Sequence, residues 1–274
     1  MDKKYFELNE DFEKIINNSL NDKEVKKIKL IPTGWTNIVY EVETNDGNYF
    51  FRFPRDEFWS RTIIKDYEFG KYIHGKTDFN TIKLEIGYDN KRPFSIHKKI
   101  PGVPLAEKMN ELTDSEIKDI SEDISKFMAQ LHSLKYKKNE IFTINNIGVN
   151  LSDFLNELLC LHVSEEDRKF WKMDTEDTDC LVHGDLNSSN ILLDENNKVT
   201  AIIDFGFGGF GEKYDDIARI IGRCPDKFKE EIVSSYEKYS NNKIDENKLN
   251  KEIDIWTNID NGYKNYMRTI GIYP

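Results

Sequence analysis

The chain has 274 residues, of which 38% are hydrophobic, and its formal net charge is -11. This length allows one large domain or two lobes that share a cleft, and the hydrophobic content is sufficient for a core. The acidic excess disfavours DNA, RNA and anionic lipid as partners and favours a cationic ligand.

The three cysteines are odd in number and form no C-x-x-C pair. This usage favours a reducing compartment, so we expect a cytoplasmic protein. The first residues lack the apolar run of a signal peptide, and no stretch approaches about 18 consecutive apolar residues. We therefore expect neither a secretory leader nor a membrane span.

The first third of the chain is predicted to form one helix and then strands. Apolar residues at helical spacing predict an amphipathic helix over 9–20. Five strands are predicted after it, over residues 27–31, 37–44, 49–53, 81–88 and 94–100. The Asp46-Gly47 pair predicts a hairpin between the second and third strands.

Between the first two strands lies the stretch Pro32-Thr33-Gly34-Trp35-Thr36-Asn37. Gly34 would let the backbone approach a ligand, and the Thr36 hydroxyl would meet phosphate oxygens. A plain hairpin turn explains the same residues, so this stretch leaves both interpretations open.

A helix is predicted over 57–74, where Glu68 lies between Ile64 and Tyr72 in a row with i, i+4 spacing. A carboxylate between apolar neighbours needs a partner of opposite charge. Two prolines and a glycine in 98–105 then mark a lobe boundary.

After this boundary the hydrophobic periodicity becomes helical. Thr113 to Glu116 form a capping box, which opens a helix with apolar steps of three and four as far as Leu134. His132, beside that apolar stripe, is interpreted as a packing or surface histidine. Further helices are predicted over 151–161, 164–173 and 226–239 and in the tail from residue 247.

Residues 180–206 carry the strongest chemical signal. The apolar runs 191–193 and 201–203 flank a turn and predict a β-hairpin. Asp185 and Asn190 precede the hairpin, and Asp204 follows it. Two carboxylates and an amide at these positions suit a Mg²⁺–phosphate centre, with one carboxylate left to orient a substrate hydroxyl and accept its proton.

The pattern H-G-D-x-x-x-x-N over 183–190, followed by Ile203-Asp204-Phe205-Gly206, resembles the catalytic and metal loops of the kinase fold. His-Gly-Asp is the form found in aminoglycoside phosphotransferases and related small-molecule kinases. The run from Glu212 to Ala218 is similar to the D-R-Y-Q-D-[IL]-A run of aminoglycoside phosphotransferases.

The resemblance implies an α+β, two-lobed, kinase-like fold. It implies an N-terminal nucleotide-binding lobe over 1–97 built on an antiparallel sheet, a hinge over 98–104, and a mostly helical C-terminal lobe over 105–274. The implied reaction transfers the γ-phosphoryl group of ATP or GTP, with Mg²⁺, to a hydroxyl group of a small molecule. An aminoglycoside is the expected acceptor.

Other functions remain open beside this one. They are a kinase for a macrolide, a sugar, choline or homoserine, and a non-catalytic nucleotide-binding relative. A protein kinase is disfavoured because Gly184 stands in place of arginine and the segment after Gly206 is short.

The resemblance also assigns roles to individual residues. Arg52 stands where the family places lysine, and we expect it to clamp the phosphates while pairing with Glu68, two unrelated surface charges being the alternative. In the full predicted site, Asp185 is the catalytic carboxylate, Asn190 and Asp204 are metal ligands, and His183 and Asp216 support the loop. Gly34, Thr36, Arg52 and Glu68 lie around the phosphates. The peptide groups of Lys98 and Ile100 bind the base, and Asp153 and Glu157 face a cationic acceptor.

Overall fold

The computed structural model describes residues 10–20, 22–32, 34, 36–142, 150–162, 165 and 180–269. Within them an antiparallel sheet lobe is followed by a mostly helical lobe, which confirms the predicted α+β class. The helix predicted over 164–173 lies outside the described residues apart from Glu165. Among the described helices, none combines the length and apolar character needed to span a bilayer.

The sheet lobe has five strands in the order β1-β2-β3-β5-β4, and all neighbours are antiparallel. Its elements are α1 (Glu10–Ser19), β1 (Val25–Ile31), β2 (Asn37–Thr44), β3 (Gly47–Pro54), α2 (Glu57–Ile73), β4 (Glu85–Asp89) and β5 (Arg92–Lys98). Two predicted strands are shifted, because 81–84 precede β4 and β5 ends at Lys98 rather than at residue 100.

The core of the sheet lobe is aromatic. Phe51 and Phe53 alternate along β3, so both side chains point to the same face of the sheet. Phe12 of α1 packs on that face, with its ring centroid 4.5 Å from that of Phe53. The opposite face of β3, which carries Arg52, therefore faces the helical lobe.

The helical lobe contains seven α-helices and two small sheets among its described residues. Its elements are β6 (Val103–Pro104), α3 (Leu105–Lys108), α4 (Asp114–Ser133), α5 (Lys138–Ile141), α6 (Leu151–His162), β7 (Cys180–Val182), β8 (Ile191–Leu193), β9 (Val199–Ile202), β10 (Gly209–Gly211), α7 (Lys213–Ile221), α8 (Lys227–Ser240) and α9 (Glu246–Thr269). The predicted hairpin is β8–β9, to which β6 adds, while β7 pairs with β10.

Helix α4 is the long core helix of this lobe. The predicted capping box is present at its start, where the Glu116 carboxylate accepts from the Thr113 backbone N–H at 2.8 Å. Its apolar face is buried from Ile117 to Leu131. On the α8 side, Ser125 donates to the Ile232 carbonyl at 2.9 Å.

Helix α7 is buried on every side, and every residue from Tyr214 to Ile221 is buried. Three of these residues are charged, namely Asp215, Asp216 and Arg219. A helix in this environment needs a partner for each charge. The partners of Asp216 and Arg219 lie in the candidate site described below.

The surroundings of Asp215 disfavour the ionised form of its carboxyl group. Burial, and then the nearby Glu252 of α9, raise the pKa of Asp215 well above its ordinary value. Burial also raises the pKa of Glu252 from 4.5 to about 7, and Glu212 adds to the shift. Oε1 of Glu252 is buried and has no hydrogen-bond partner within the described ranges.

We expect Glu252→Gln to stabilise the protein at pH 8 and to change little at pH 5. The Glu252 carboxyl is easier to ionise when unfolded, so the free energy of unfolding falls as the pH rises from 4.5 to about 7. Removing the charge should raise the free energy of unfolding at pH 8 by about 3 kcal/mol. Urea unfolding at both pH values measures this, with the exposed Asp254→Asn on the same helix as the control. An equal gain at both pH values would contradict the explanation.

Candidate active site

A cavity of about 410 Å³ lies between the sheet lobe and the helical lobe. Six of the predicted site residues line it together: Gly34, Thr36, Arg52, Asp185, Asn190 and Asp204. They come from the loop before β2, from strand β3, and from the segments on either side of the β8–β9 hairpin. The fold thus gathers residues that are far apart in the sequence around one space.

The loop before the hairpin is shaped by Gly184. Its φ angle is +77°, and a Cβ atom there would lie 2.5 Å from the carbonyl oxygen of Phe207. Both the left-handed backbone and the close approach require glycine. The turn at Gly184 sets the positions of His183 and Asp185 relative to each other.

Asp216 of α7 holds this turn from behind. Its two carboxylate oxygens accept from the backbone N–H groups of His183 at 2.8 Å and Gly184 at 2.9 Å. His132 of α4 lies 3.2 Å from the same carboxylate through Nε2, and its Nδ1 lies 2.9 Å from the Tyr236 hydroxyl. His132 is therefore part of the polar network behind the loop rather than a simple packing or surface histidine.

His183 connects the loop to the segment that carries Asp204. Its Nε2 lies 3.0 Å from the carbonyl oxygen of Ile203, and since a carbonyl only accepts, Nε2 carries the proton. Its Nδ1 then accepts from the Asp185 backbone N–H at 3.3 Å. His183 is fully buried, and it links the two segments that bear the carboxylates of the cavity.

The carboxylate of Asp185 is held by Arg219 of α7. Oδ1 of Asp185 accepts from Nε of Arg219 at 2.9 Å and from Nη2 at 2.7 Å. Asn190 donates through Nδ2 to the Asp185 carbonyl oxygen at 2.9 Å and lies 3.5 Å from Oδ2. Oδ2 is the carboxylate oxygen that Arg219 leaves available to the cavity.

Arg52 bridges two carboxylates on the sheet side of the cavity. Its Nη1 lies 2.5 Å from Oδ2 of Asp66, and its Nη2 lies 2.9 Å from Oδ1 of Asp204. The other oxygen of Asp66 accepts from the backbone N–H of Phe205 at 2.9 Å. These three contacts close a ring that ties β3 and α2 to the segment after β9.

Charges in this ring support one another. Burial favours the neutral form of Asp204, but the Arg52 guanidinium outweighs it, so the pKa of Asp204 lies below its ordinary value. Burial raises the pKa of Asp66, and Arg52 opposes that rise. Arg52 keeps its proton, so its contact with Asp66 joins a guanidinium cation to that carboxyl group.

The predicted pair of Arg52 with Glu68 is therefore wrong. The carboxylate that contacts the guanidinium belongs to Asp66, two residues before Glu68 on α2. Side chains two residues apart on a helix are separated by about 200° around the helix axis. The side of α2 that faces β3 carries Asp66, so Glu68 cannot share it.

Asp204 and Asn190 suit a hard cation. The Asp204 side chain is 42% exposed, and both residues line the cavity. Asn190 uses its amide nitrogen within the loop, so its amide oxygen is the atom that a metal ion would take. The described residues form no cluster of three His, Cys, Asp or Glu side chains around one point. This donor set matches Mg²⁺, which is commonly held by few protein oxygens and completed by phosphates.

Gly34 and Thr36 lie in a tight loop at the sheet edge of the cavity. A Cβ atom on Gly34 would lie 2.2 Å from the carbonyl oxygen of Asn37, so no other residue fits there. Arg55 holds the loop by donating to the Gly34 carbonyl from Nε at 3.1 Å and from Nη2 at 2.8 Å. The Thr36 hydroxyl accepts from the Asn37 side chain at 2.9 Å.

Five residues that were predicted to face a ligand do not line this cavity, namely Glu68, Lys98, Ile100, Asp153 and Glu157. Lys98 pairs with Tyr49 at the end of β5, and Ile100 follows it outside the strand. Asp153 and Glu157 were expected to face a cationic acceptor, and neither lines the cavity described. Glu157 instead forms two contacts with Arg61, at 2.9 and 2.7 Å, and Asp153 accepts from Asn150 at 2.9 Å.

Apolar side chains of α6 and α9 form another side of the cavity. We call them the apolar wall; they are Leu155 and Leu158 from α6 and Trp256, Ile259 and Tyr263 from α9. On α9 the steps of three and four residues place them on one face. Asp260 lies beside them and pairs with both Arg219 and Arg223.

Residues 27–246 match the profile of the phosphotransferase enzyme family. The chain belongs to the phosphotransferase enzyme family. The match includes the loop at Asp185 and the segment at Asp204, whereas the cavity residues of α9, from Trp256 to Tyr263, lie beyond its end.

Known phosphotransferases agree with this assignment. An aminoglycoside 3'-phosphotransferase of Escherichia coli is 28% identical over 164 residues, which are 55% of this chain and 59% of that relative. The GDP and kanamycin complex of APH(2")-IIia has 19% identity and a TM-score of 0.74 over 96% of this chain and 94% of that chain. The macrolide 2'-phosphotransferase MphH from Brachybacterium faecium has 14% identity and a TM-score of 0.62 over 96% and 94%. The two structures show that the fold is the kinase-like fold of phosphotransferases.

Sequence reasoning missed several residues of the phosphotransferase cavity. Asp66, Arg219 and Asp260 all make ion pairs there. For Arg219 a signal existed, since a charged residue within an otherwise apolar helical run predicts a buried partner. For Asp66 the sequence shows a second acid two residues away, Glu68, and no means of choosing between them. For Asp260 the sequence alone gives no sign of a buried arginine partner.

We expect Asp66→Asn to weaken nucleotide use more than Glu68→Gln. Asparagine can still accept from the Phe205 N–H, but it removes the charge that holds Arg52. The KM for Mg–nucleotide should rise by about 10-fold or more, the size of a lost charge-assisted contact. Steady-state kinetics on both variants measure this. Equal effects would restore Glu68 as the partner that matters.

Proposed function

We propose that the protein transfers the γ-phosphoryl group of ATP or GTP to a hydroxyl group of a small molecule. The observation that supports this best is the shared cavity, in which Arg52, Asn190 and Asp204 lie together with Asp185. The first three suit a metal-bound polyphosphate, and the last suits an alcohol that must lose a proton. These are the two ligands of a phosphoryl transfer.

On the donor side, Arg52 would hold the phosphates from the sheet lobe. It is 9% exposed and fixed by Asp66, so its position is set before a nucleotide arrives. Gly34 and Thr36 form the facing loop, whose close backbone can approach phosphate oxygens. Asn190 and Asp204 would hold Mg²⁺, which neutralises charge on the phosphates when bound.

On the acceptor side, Asp185 would orient the hydroxyl group and accept its proton. Oδ2 serves this role, because Oδ1 already accepts two hydrogen bonds from Arg219. Asp216 and His183 keep the loop in place through its backbone. Because phosphoryl transfer has a loose transition state, positioning of the hydroxyl and the phosphate supplies most of the catalysis.

An aminoglycoside is the acceptor that we propose first. The relative from Escherichia coli is an aminoglycoside 3'-phosphotransferase, and one similar structure contains kanamycin. The net charge of -11 favours a polycationic ligand. The alignment spans less than two thirds of the relative's length, so the acceptor remains a proposal.

A macrolide is the second candidate, and the apolar wall favours it. The five side chains of the apolar wall line the cavity, and the acids expected on α6 do not. A macrolide presents a larger apolar surface than an aminoglycoside, which suits such a wall. The likeness to a macrolide 2'-phosphotransferase in fold agrees with this alternative.

Three further expectations complete the proposal. We propose lobe limits of 1–97 and 105–274 with a hinge at 98–104, where the Lys98 and Ile100 peptide groups would bind the nucleotide base. The protein would act in the cytoplasm, where nucleoside triphosphates are abundant. The three free cysteines agree with that compartment.

We expect Asp185→Ala to lower kcat by at least about 100-fold, because it removes both the proton acceptor and the orientation of the hydroxyl. Binding of Mg–nucleotide, measured by calorimetry, should stay within about threefold because Arg52 and Asp204 remain. Asp153→Ala is the control, since it removes a carboxylate outside the cavity. Turnover of Asp185→Ala within tenfold of the parent, with unchanged melting, would refute the role.

The acceptor is identified with a panel of kanamycin, gentamicin and erythromycin, each with ATP and GTP. Mass spectrometry detects the phosphorylated product, and nucleoside diphosphate release gives the rate. An aminoglycoside acceptor should show a KM that rises with salt, because screening weakens attraction of a polycation to an acidic protein. Turnover of erythromycin alone would favour the macrolide candidate, and no turnover of any compound would refute both acceptors.

A further inference from the structure

Arg219 of α7 is the most completely surrounded cation in the described part of the cavity. Two of its nitrogens donate to Oδ1 of Asp185 at 2.9 and 2.7 Å, and the third donates to Oδ1 of Asp260 at 2.7 Å. The guanidinium lies over the Trp256 ring, with Cζ 4.5 Å from the ring centroid. Arg219 is only 8% exposed, so its position is fixed by α9 and by the catalytic loop together.

The position of Arg219 on α7 follows from helix geometry. Asp216 and Arg219 are three residues apart and so lie on one face of the helix. Asp216 binds the backbone of the catalytic loop, and Arg219 binds the side chain of Asp185. One buried helical face therefore holds both the path of the loop and the direction of its carboxylate.

Asp260 is already occupied by the protein's own cations. Its Oδ1 pairs with Arg219, and its Oδ2 pairs with Arg223 at 2.5 Å. An acceptor ammonium group that approached Asp185 or Asp260 would have to compete with these guanidinium groups. The region next to the reacting hydroxyl is thus electrically neutral among the described residues, and the apolar wall borders it.

We propose that Arg219 is the positioning residue of Asp185. It holds Oδ1 so that Oδ2 faces the acceptor hydroxyl, and it fills the cation position beside that hydroxyl. This inference rests on the proposed phosphoryl transfer. It predicts that the acceptor places an uncharged group, not an ammonium group, next to the hydroxyl that is phosphorylated.

The kinetic test compares Arg219→Gln with Arg223→Gln. Loss of Arg219 frees the Asp185 carboxylate to rotate, so kcat should fall roughly 10- to 100-fold, the range of a bidentate charged contact. Loss of the positive charge should also lower the KM for a polycationic acceptor. General damage to the fold would not lower kcat and KM together. Arg223→Gln removes a cation from Asp260 without touching Asp185, so it should lower that KM with a smaller loss of kcat.

Two further variants keep the test decisive. Arg219→Lys, which retains the charge but loses the fork, should recover part of the kcat. If Arg219→Gln does not fold, the kcat of Arg219→Lys and Asp260→Asn is compared with the parent. A kcat within threefold of the parent in every folded Arg219 variant, or an equal loss of kcat in Arg223→Gln, would overturn the proposal.

A measurement without turnover separates this inference from the proposed function. In the ¹⁵N–¹H spectrum of the whole protein, the Nε–H signal of Arg219 is assigned by its loss in Arg219→Lys. Asp185→Ala should shift that signal and speed its solvent exchange, while the Nε–H signal of Arg55, which donates to Gly34, stays in place. A parent without activity on any acceptor would refute the proposed function alone. An Arg219 signal unaffected by Asp185→Ala would refute the contact on which the positioning role depends.

Discussion

The site depends on the pairing of two buried arginines with four carboxylates. Arg52 joins Asp66 to Asp204, and Arg219 joins Asp185 to Asp260. Taking charges out of water is costly, and each pair is stable only because its geometry is close and its remaining groups are hydrogen-bonded. The two arginines thereby fix β3, α2, α7 and α9 around the same cavity.

The two bridges differ in what they leave free. Arg52 shares its guanidinium between a fully buried acid and Asp204, whose side chain is 42% exposed, so the bridge supports the exposed acid without enclosing it. Arg219 instead saturates one oxygen of Asp185 and leaves the other. In both cases the protein supplies a fixed charge and keeps one face of a carboxylate for a ligand, which is the preorganisation that electrostatic catalysis requires.

The fold and the loop residues were predictable because their signals are local. The spacing of His183, Asp185, Asn190 and Asp204 is contained in one short stretch, and a hairpin brings its ends together. The choice between Asp66 and Glu68 was not predictable, because it depends on which side of α2 turns toward β3. The acids expected on α6 do not line the cavity for the same reason, since the side of α6 that lines it carries Leu155 and Leu158.

The apolar wall has a consequence for how the acceptor range can change over evolution. Its α9 members, Trp256, Ile259 and Tyr263, lie after the family match ends at residue 246. The groups proposed to handle the nucleotide come from other segments and are held by their own pairs. Substitutions on one face of a late helix can therefore alter which acceptor fits while the groups proposed to hold the phosphates stay intact. Natural variants with an altered range of acceptors would be expected to differ first along that helical face.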